Sequence, residues 1–285
     1  MIEKDYYVTM ILRGLAKRFD FLVFKGGTSL SKCYRAIKRF SEDIDITIDS
    51  TISSGQRRKV QHAIADIARE LWMEIPDYDS LEGRDDYVRY HLQYESVLGQ
   101  RTATISPEVM METSYMEISF PVEILPVHSY IGDLFEEEAP ELLEEYGLEP
   151  FEMKVQAKER SLIDKVFAVC DYYMQGRVKK YSRHLYDIHK LTQLVPQDEK
   201  FRLLIMAVRT ERAKEKKCLS AQPGVDVPEL LRQIVDKNVY KEDYNTLTLN
   251  LLEESDKMEY EKIIQTLKQI AESGMFVETD NAGRK

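Results

Sequence analysis

In three short stretches of the first half of the chain, hydrophobic and polar residues alternate with a period of two, and a fourth stretch, residues 21–24, is a continuous apolar run typical of a short buried strand. This period places successive side chains on opposite faces of an extended strand. The predicted strands span residues 21–24, 43–48, 87–94 and 113–125. Longer stretches repeat their apolar residues every three or four positions, as an amphipathic helix does. The predicted helices span residues 3–18, 28–38, 56–74, 157–174, 182–194, 198–217, 227–237 and 255–273.

The two kinds of pattern are separated along the chain. From residue 157 onward the pattern is helical almost throughout, and the acidic segment 133–149, followed by Pro150, precedes that change. A chain of 285 residues is long for a single hydrophobic core. We therefore predict an α/β domain with a mixed sheet over residues 1–150 and a helical domain over residues 151–285.

The composition indicates the class of protein and its location in the cell. The chain is 43% hydrophobic, which is typical of a folded protein. It has no run of about 18 apolar residues, and its N-terminus lacks the apolar stretch of a signal peptide. We therefore expect a soluble, cytoplasmic protein without a membrane partner. The three cysteines lie far apart, which argues against a disulfide framework and a cysteine-based zinc site.

Charge is distributed unevenly around a net value of −10. Eight acidic residues and no basic residue fall within 133–149, whereas five basic residues and one acidic residue fall within 177–190. A second basic cluster spans 209–217. Each basic cluster alone is also explained by a solvated helix face. If the protein binds nucleic acid, these clusters are the expected phosphate contacts. The candidates in the first cluster are Arg177, Lys179, Lys180 and Arg183.

A glycine turn follows the first predicted strand. Gly26 and Gly27 let backbone N–H groups approach a phosphate without a Cβ in the way. Thr28 is a natural N-cap for the following helix, whose N-terminal dipole favours an anion. We therefore predict that Gly27 and Thr28 cradle phosphate and that Lys25 is a further phosphate contact. Gly26 is equally explained as a simple turn residue.

Two carboxylates follow on the strand 43–48. Asp43 and Asp45 alternate with isoleucines, so both lie on its polar face. There they can hold a pair of divalent ions about 3.5–4 Å apart, and their hard oxygens suit Mg²⁺ or Mn²⁺. An Asp-x-Asp pair alone is common. Its position after a strand, a glycine turn and a helix is what indicates a metal-bound nucleoside triphosphate. Ser41 is a candidate nucleotide contact beside it.

Three further residues have competing explanations. Glu117 lies on the polar face of a predicted strand. It is either a third catalytic carboxylate or an ordinary surface residue. The helical position of Lys165 alone predicts a surface lysine whose apolar stem packs on the helix. Asp187 lies one turn after Arg183, which is explained by an i,i+4 ion pair.

Four segments resemble one known family. Lys25-Gly-Gly-Thr-Ser-Leu, followed by Arg39-Phe-Ser-Glu-Asp-Ile-Asp, resembles the first motif of the DNA polymerase β-like nucleotidyltransferases, and more closely that of their AbiEii/AbiGii toxin branch. The segments Ile2-Glu-Lys-Asp-Tyr-Tyr-Val, Asp164-Lys-Val-Phe-Ala and Arg183-His-Leu-Tyr-Asp-Ile resemble the same branch. The resemblance reaches roughly residue 195. His184 departs from it, since the family often carries an acid there.

The resemblance implies a polymerase β-like nucleotidyltransferase lobe and a helical lobe with the active cleft between them. It implies metal-dependent transfer of a nucleoside monophosphate from a nucleoside triphosphate to RNA, most directly the 3′ end of tRNA. In this pattern Lys165 reaches the triphosphate, Asp187 is a catalytic or base-positioning carboxylate, and Glu117 is the candidate that assists it. It also implies the toxin of a toxin–antitoxin or phage-defence system, whose antitoxin is encoded separately.

Two other functions are compatible with the same residues. A small-molecule nucleotidyltransferase of the antibiotic-inactivating kind would use the same metal site, and the acidic segment 133–149 would suit a cationic acceptor. A catalytically idle member would bind RNA or a partner protein without turnover. A screen of acceptors distinguishes the first alternative, and an Asp43→Ala variant distinguishes the second.

Overall fold

The computed structural model of the chain describes residues 1–81, 86–97 and 106–278, without the side chains of residues 116 and 117. It divides into two compact units. The first comprises Met1–Arg35 and Phe40–Ala157, and the second comprises Ala36–Arg39 and the chain from Lys158 onward. The first unit contains a mixed sheet with helices, and the second is helical. The predicted α/β fold with a helical C-terminal part is confirmed.

The described part of the first unit forms a six-stranded sheet. In chain order the strands are β1 (Leu22–Lys25), β2 (Ile44–Ile48), β3 (Tyr87–Gln93), β4 (Glu108–Ile118), β5 (Val122–Val127) and β6 (Phe151–Gln156). Their order in the sheet is β3-β4-β2-β1-β6-β5. Strand β1 pairs antiparallel with β2 and parallel with β6, and β2 pairs parallel with β4. The sheet is therefore mixed. The glycine turn follows its central strand β1, and Asp45 lies on the neighbouring central strand β2.

The described part of the first unit also contains helices. They are α1 (Ile2–Ala16), α2 (Gly26–Lys32), α3 (Ser54–Glu70), α4 (Tyr78–Leu81), α5 (Tyr130–Glu138) and α6 (Glu141–Tyr146). The alternating isoleucines of β2 share a hydrophobic core with Phe24 of β1 and with the apolar stripes of α1 and α3. The opposite face of β2 keeps its polar residues. This division between the faces follows from the period of two that the sequence shows.

The acidic segment 133–149 lies within the first unit. It folds as α5 and α6, and the chain then returns to the sheet as β6. Because β6 pairs with both β1 and β5, the first unit continues to Ala157. The segment is thus part of the α/β unit and not a linker.

Several predicted elements were wrong in extent. The helices predicted over 198–217 and 255–273 span only Glu199–Arg212 and Tyr260–Glu272. Two further cases have a visible physical cause. The helix predicted over 28–38 is α2, which begins at Gly26 with Lys25 as its N-cap and ends at Lys32. It cannot continue because Arg35 has a left-handed φ of 49°. The strand predicted over 113–125 is two strands, β4 and β5. Pro121 lies between them and lacks the N–H that a continuing ladder would need.

The second unit is built from helices. They are α7 (Lys158–Met174), α8 (Arg183–Thr192), α9 (Glu199–Arg212), α10 (Val227–Lys237), α11 (Lys241–Asp243), α12 (Leu249–Leu251) and α13 (Tyr260–Glu272). A π-helical turn, Tyr244–Thr248, joins α11 to α12. Helix α7 packs against α8, and α13 packs against α8 and α10. None of the helices in the described ranges has the combination of length and hydropathy that a membrane span requires.

The segment Ala36–Arg39 belongs to this helical unit although its neighbours in sequence do not. The backbone N–H of Glu253 donates to the carbonyl of Lys38 at 2.9 Å. The N–H of Lys38 donates to the hydroxyl of Tyr186 at 2.8 Å, and Arg39 forms an isolated β-bridge with Leu252. The segment is therefore fixed to the helical unit by its own backbone.

Candidate active site

The glycine turn brings the backbone of residue 26 against the side chain of Asp45. Gly26 has a φ of +82°, which L side chains rarely adopt. A Cβ at this position would lie 2.0 Å from Oδ2 of Asp45. Glycine is therefore required at position 26 both by the positive φ and by the close approach of Asp45, whereas an ordinary turn glycine is required by its φ alone. The turn and the aspartate are built as one structure.

Two predicted nucleotide contacts are joined by a hydrogen bond. Thr28 is buried in the first turn of α2, and its Oγ1 lies 3.0 Å from Oγ of Ser41. The predicted N-cap role of Thr28 is wrong, since Lys25 holds that position. The hydroxyl instead ties α2 to the segment that enters β2. Thr28 and Ser41 thus fix the turn and the aspartate strand relative to each other.

A row of charged residues crosses the polar face of the sheet beside Asp45. Its register partner on β1 is Lys25, and its register partner on β4 is Glu112. Neighbouring strands lie about 4.7–4.9 Å apart in a sheet. Asp43 directly precedes β2. The structure therefore places Asp45 between a lysine and a second carboxylate.

Glu112 was not among the sequence-predicted site residues. It forms an ion pair of 2.6 Å with Arg89, which is its register partner on β3. The predicted third carboxylate, Glu117, lies on the same strand, but its side chain is outside the described part of the structure. The alternation from Glu108 to Glu112 on one face of β4 was a usable signal. It did not reveal which strand neighbours Asp45.

The donor set beside the glycine turn suits a divalent cation. Asp45 and Glu112 supply carboxylates from paired strands, and Asp43 supplies a third two residues before Asp45. Carboxylate oxygens are the ligands that Mg²⁺ and Mn²⁺ prefer. By residue type and strand register these carboxylates therefore suit a divalent cation.

A second group of ligand-type side chains lies elsewhere in the first unit. His128, Asp133 and Glu136 offer ligand atoms within 4.8 Å of one another. The guanidinium of Arg35 lies 2.8 Å from Nδ1 of His128 and 2.7 Å from Oδ1 of Asp133. Because a cationic side chain already bonds to two of the three groups, they form a salt-bridge cluster.

In the second unit a buried carboxylate holds two cations. Asp187 is completely buried, and its two oxygens accept hydrogen bonds from Nε and Nη2 of Arg39 at 2.6 and 2.8 Å. Nζ of Lys165 donates to the same carboxylate at 2.7 Å. Burial alone would raise the pKa of Asp187, but the charges of Arg39 and Lys165 outweigh it and hold that pKa well below its usual range. The carboxylate is therefore ionised.

This cluster corrects two expectations from helical spacing. Lys165 is buried and is not a surface lysine. Asp187 pairs with Arg39 and Lys165 and not with Arg183. The predicted functional residues Lys165 and Asp187 are thus in direct contact. Because an ionised carboxylate with three hydrogen bonds is a weak base, its geometry suits orienting the two cations.

His184 borders this cluster. Its Nδ1 is buried and has no hydrogen-bond partner within the described part of the chain. Burial lowers the pKa of His184 well below its ordinary value, and the nearby charge of Lys165 lowers it further. The imidazole is therefore neutral near pH 7. His184 therefore adds no charge to the cluster of Asp187, Arg39 and Lys165.

Solved structures of other proteins share this fold. The chain is similar to JHP933 from Helicobacter pylori, with a TM-score of 0.52 and 18% identity, over 96% of this chain and 90% of that one. It is also similar to MenT4, a nucleotidyltransferase toxin from Mycobacterium tuberculosis H37Rv, with a TM-score of 0.50 and 15% identity, over 98% of this chain and 85% of that one. None of the curated proteins is significantly similar in sequence. The fold is thus one that a nucleotidyltransferase toxin adopts.

The family follows from a second comparison. The profile of the family described as nucleotidyl transferase AbiEii toxin, type IV toxin–antitoxin system, matches residues 11–277. The chain belongs to this family, which confirms the resemblance seen in the sequence motifs. It is therefore a nucleotidyltransferase of the toxin–antitoxin class. The match extends well beyond residue 195, where the recognisable motifs end.

Proposed function

We propose that this toxin transfers a nucleoside monophosphate from a nucleoside triphosphate to a hydroxyl of RNA, most directly at the 3′ end of tRNA. The observation that carries the proposal is the set of carboxylates beside the glycine turn, in a chain of the AbiEii family. Pyrophosphate leaves as the new phosphodiester forms. Modification of the tRNA end would halt translation, as a toxin does. The antitoxin would be a separately encoded protein.

The residues of the first unit have separate roles in this proposal. Asp43, Asp45 and Glu112 would hold Mg²⁺ or Mn²⁺. When bound, the metal neutralises triphosphate charge and lowers the pKa of the attacking hydroxyl. The backbone of Gly27 and the hydroxyl of Thr28 would contact the phosphates. Lys25 and Ser41 would be further contacts, since Lys25 is the register partner of Asp45 and Ser41 bonds to Thr28.

The buried cluster of the second unit would stabilise the leaving group. We assign to Lys165 the neutralisation of charge that builds on the pyrophosphate, a task suited to a compact ammonium group. Asp187 would hold Lys165 and Arg39 in place through its three hydrogen bonds. Replacing Lys165 with methionine is then expected to lower the rate of transfer about 10²–10³-fold. The affinity for acceptor RNA should be unchanged.

The RNA acceptor is supported by the basic segment between α7 and α8, which ends at Arg183, the first residue of α8. Arg177, Lys179 and Lys180 are exposed, and Arg183 is partly buried. Charge reversal at Lys179 and Lys180 should weaken RNA binding and reduce its salt dependence. For each phosphate contact that is lost, about one counterion fewer is released when the RNA binds. Affinity for the triphosphate should remain. An equal loss of both affinities would contradict this assignment.

The direct test supplies the purified protein with each α-labelled nucleoside triphosphate, Mg²⁺ and total tRNA. Label on tRNA that is absent with an Asp43→Ala variant would establish the reaction and identify the nucleotide. An Asp43→Asn variant, which keeps the side-chain shape, controls for folding. Triphosphate consumed without label on RNA would indicate a small-molecule or protein acceptor. No consumption at all would indicate a catalytically idle binding protein.

A further inference from the structure

Two stacked tyrosine rings of the second unit lie beside the exposed side chain of Arg177 in the basic segment. The rings of Tyr172 and Tyr181 are stacked, with centroids 3.5 Å apart and planes inclined by 14°. The guanidinium carbon of Arg177 lies 6.0 Å from the centroid of Tyr181, and its Nη2 donates to the tyrosine hydroxyl at 3.2 Å. We call these three side chains the planar ladder. Arg177 is its exposed member.

The backbone explains how the ladder forms. Helix α7 ends at Met174, and Gly176 follows with a left-handed φ of 66°. The N–H of Arg177 then donates to the carbonyl of Tyr172 at 2.8 Å, which closes the helix end and turns the chain back. Tyr181, near the end of this loop, is thereby brought back to α7, where its ring stacks on that of Tyr172. The ladder is thus set by the helix terminus.

The loop between α7 and α8, which carries Arg177 and Tyr181, is held by hydrogen bonds to other residues of the second unit. The carboxylate of Asp243 accepts hydrogen bonds from the N–H of Lys180 at 2.6 Å and from the N–H of Ser182 at 3.1 Å. The hydroxyls of Ser182 and Thr248 lie 2.7 Å apart. These contacts hold a short basic loop in one conformation. A ligand that binds there would meet a surface that is already ordered, which lowers the entropy lost on binding.

We propose that a nucleobase of unpaired RNA stacks on the exposed guanidinium of Arg177 in the planar ladder, with Lys179 as the neighbouring phosphate contact. Unpaired bases stack on aromatic rings and on guanidinium planes, whereas base pairs in a duplex do not expose their faces. The inference rests on the proposed RNA acceptor and makes it more specific. It assigns to this surface the single-stranded end of the acceptor and not its double-stranded stem.

The test measures binding of the full chain to two labelled RNAs, an unpaired oligonucleotide of about ten nucleotides and a duplex of the same length. The decisive variant is Arg177→Lys, which keeps the charge and removes the plane. We expect it to weaken binding of the unpaired RNA about tenfold and to leave the duplex and the salt dependence unchanged. A Lys179→Ala variant is the matched control. It should weaken both RNAs alike and lower the salt slope by about one.

A second variant guards against misfolding. Tyr181→Phe keeps the ring and removes the hydroxyl to which Arg177 donates, so it should reproduce part of the loss in unpaired binding with an unchanged melting temperature. Wild-type affinity of Arg177→Lys for the unpaired RNA would overturn the proposal. So would equally tight binding of an acidic peptide of the same charge, because the surface would then recognise anions or a protein partner.

The two proposals fail separately. If Arg177→Lys loses unpaired RNA but no nucleotide is transferred to any RNA, the planar ladder stands and the proposed reaction fails. If RNA is labelled and Arg177→Lys has the KM of the wild type for it, the reaction stands and the ladder fails. The expected result is a higher KM for RNA with an unchanged kcat, since Arg177 is assigned no part in the chemistry.

Discussion

The carboxylate of Asp45 lies in the space that a side chain on residue 26 would need. A Cβ added to Gly26 would approach Oδ2 of Asp45 to 2.0 Å, far inside van der Waals contact. The glycine of the turn and the aspartate of β2 therefore cannot vary independently. The relationship joins a conformational requirement, the φ of +82°, to the position of a proposed metal ligand.

Replacing Gly26 with alanine should reduce activity more than stability. The left-handed backbone costs roughly 1–2 kcal/mol with an L residue, and the collision displaces Asp45. A displacement of about 1 Å in a catalytic group can lower the rate on the order of 10²-fold. The matched control is Gly147→Ala, at a φ of +60° with its nearest neighbour 3.7 Å away. Labelled-nucleotide transfer and urea unfolding measure both effects. Equal activity losses in the two variants would contradict the explanation.

Glu112 should be required for transfer. Glu112→Gln removes the carboxylate paired in register with Asp45, and we expect a loss on the order of 10²–10³-fold in kcat with little change in stability. Glu108→Gln is the control, because Glu108 shares the strand and the face but bonds to His91 at 3.0 Å. A Glu117→Gln variant tests the residue that the sequence predicts. If that variant alone loses activity, Glu117 and not Glu112 is the third carboxylate.

Asp187→Asn should destabilise the second unit strongly. It leaves Arg39 and Lys165 buried without their counter-charge, and removing one partner of a buried pair costs about 3–5 kcal/mol. Because the folded-state pKa of Asp187 is depressed, its contribution is present above pH about 4 and is lost only as the pH falls through the folded value. Chemical unfolding at pH 7 measures the change. Glu229→Gln, which breaks an exposed pair with Arg232, should leave stability nearly unchanged.

His184 should make the folded state sensitive to mild acid. Its pKa is lowered on folding, so the unfolded chain binds the proton more tightly, and stability falls as the pH drops below about 6.5. The slope contributed by this residue is about 1.4 kcal/mol per pH unit down to the folded pKa. A His184→Gln variant should lose that slope between pH 7 and 5 in urea unfolding. His62→Gln, at an exposed position on α3, is the control. An unchanged slope in His184→Gln would refute the prediction.

Local patterns predicted most elements because those elements obey local rules. The period of two in β2 and the helical stripes of α7 and α10 carry their own burial pattern, and their predicted positions agree closely with the structure. The extent of α2 was missed because its start depends on the conformation of Gly26. Its early end depends on Arg35. Both depend on the structure around the turn, which residue propensities do not contain.

The site residues also divide into those that a local pattern predicts and those that depend on long-range contacts. Asp43 and Asp45 could be predicted because they follow the turn within one short segment. Glu112 could not, because its place beside Asp45 depends on the pairing of β2 with β4. The partnership of Arg39 with Asp187 spans 148 positions in sequence. In each case the missing information is a long-range contact, and without it Glu117 was the nearest reasonable choice.

The helical unit depends on four residues, Ala36–Arg39, that precede its helices by more than a hundred positions in the sequence. A fragment that begins at Lys158 contains every helix of that unit, and by length it would pass for an autonomous module. It lacks Arg39, so the carboxylate of Asp187 would lose two of its three hydrogen bonds. During synthesis these four residues leave the ribosome long before the helices that receive them. The helical unit can therefore be completed only by a chain that already carries the beginning of the other one.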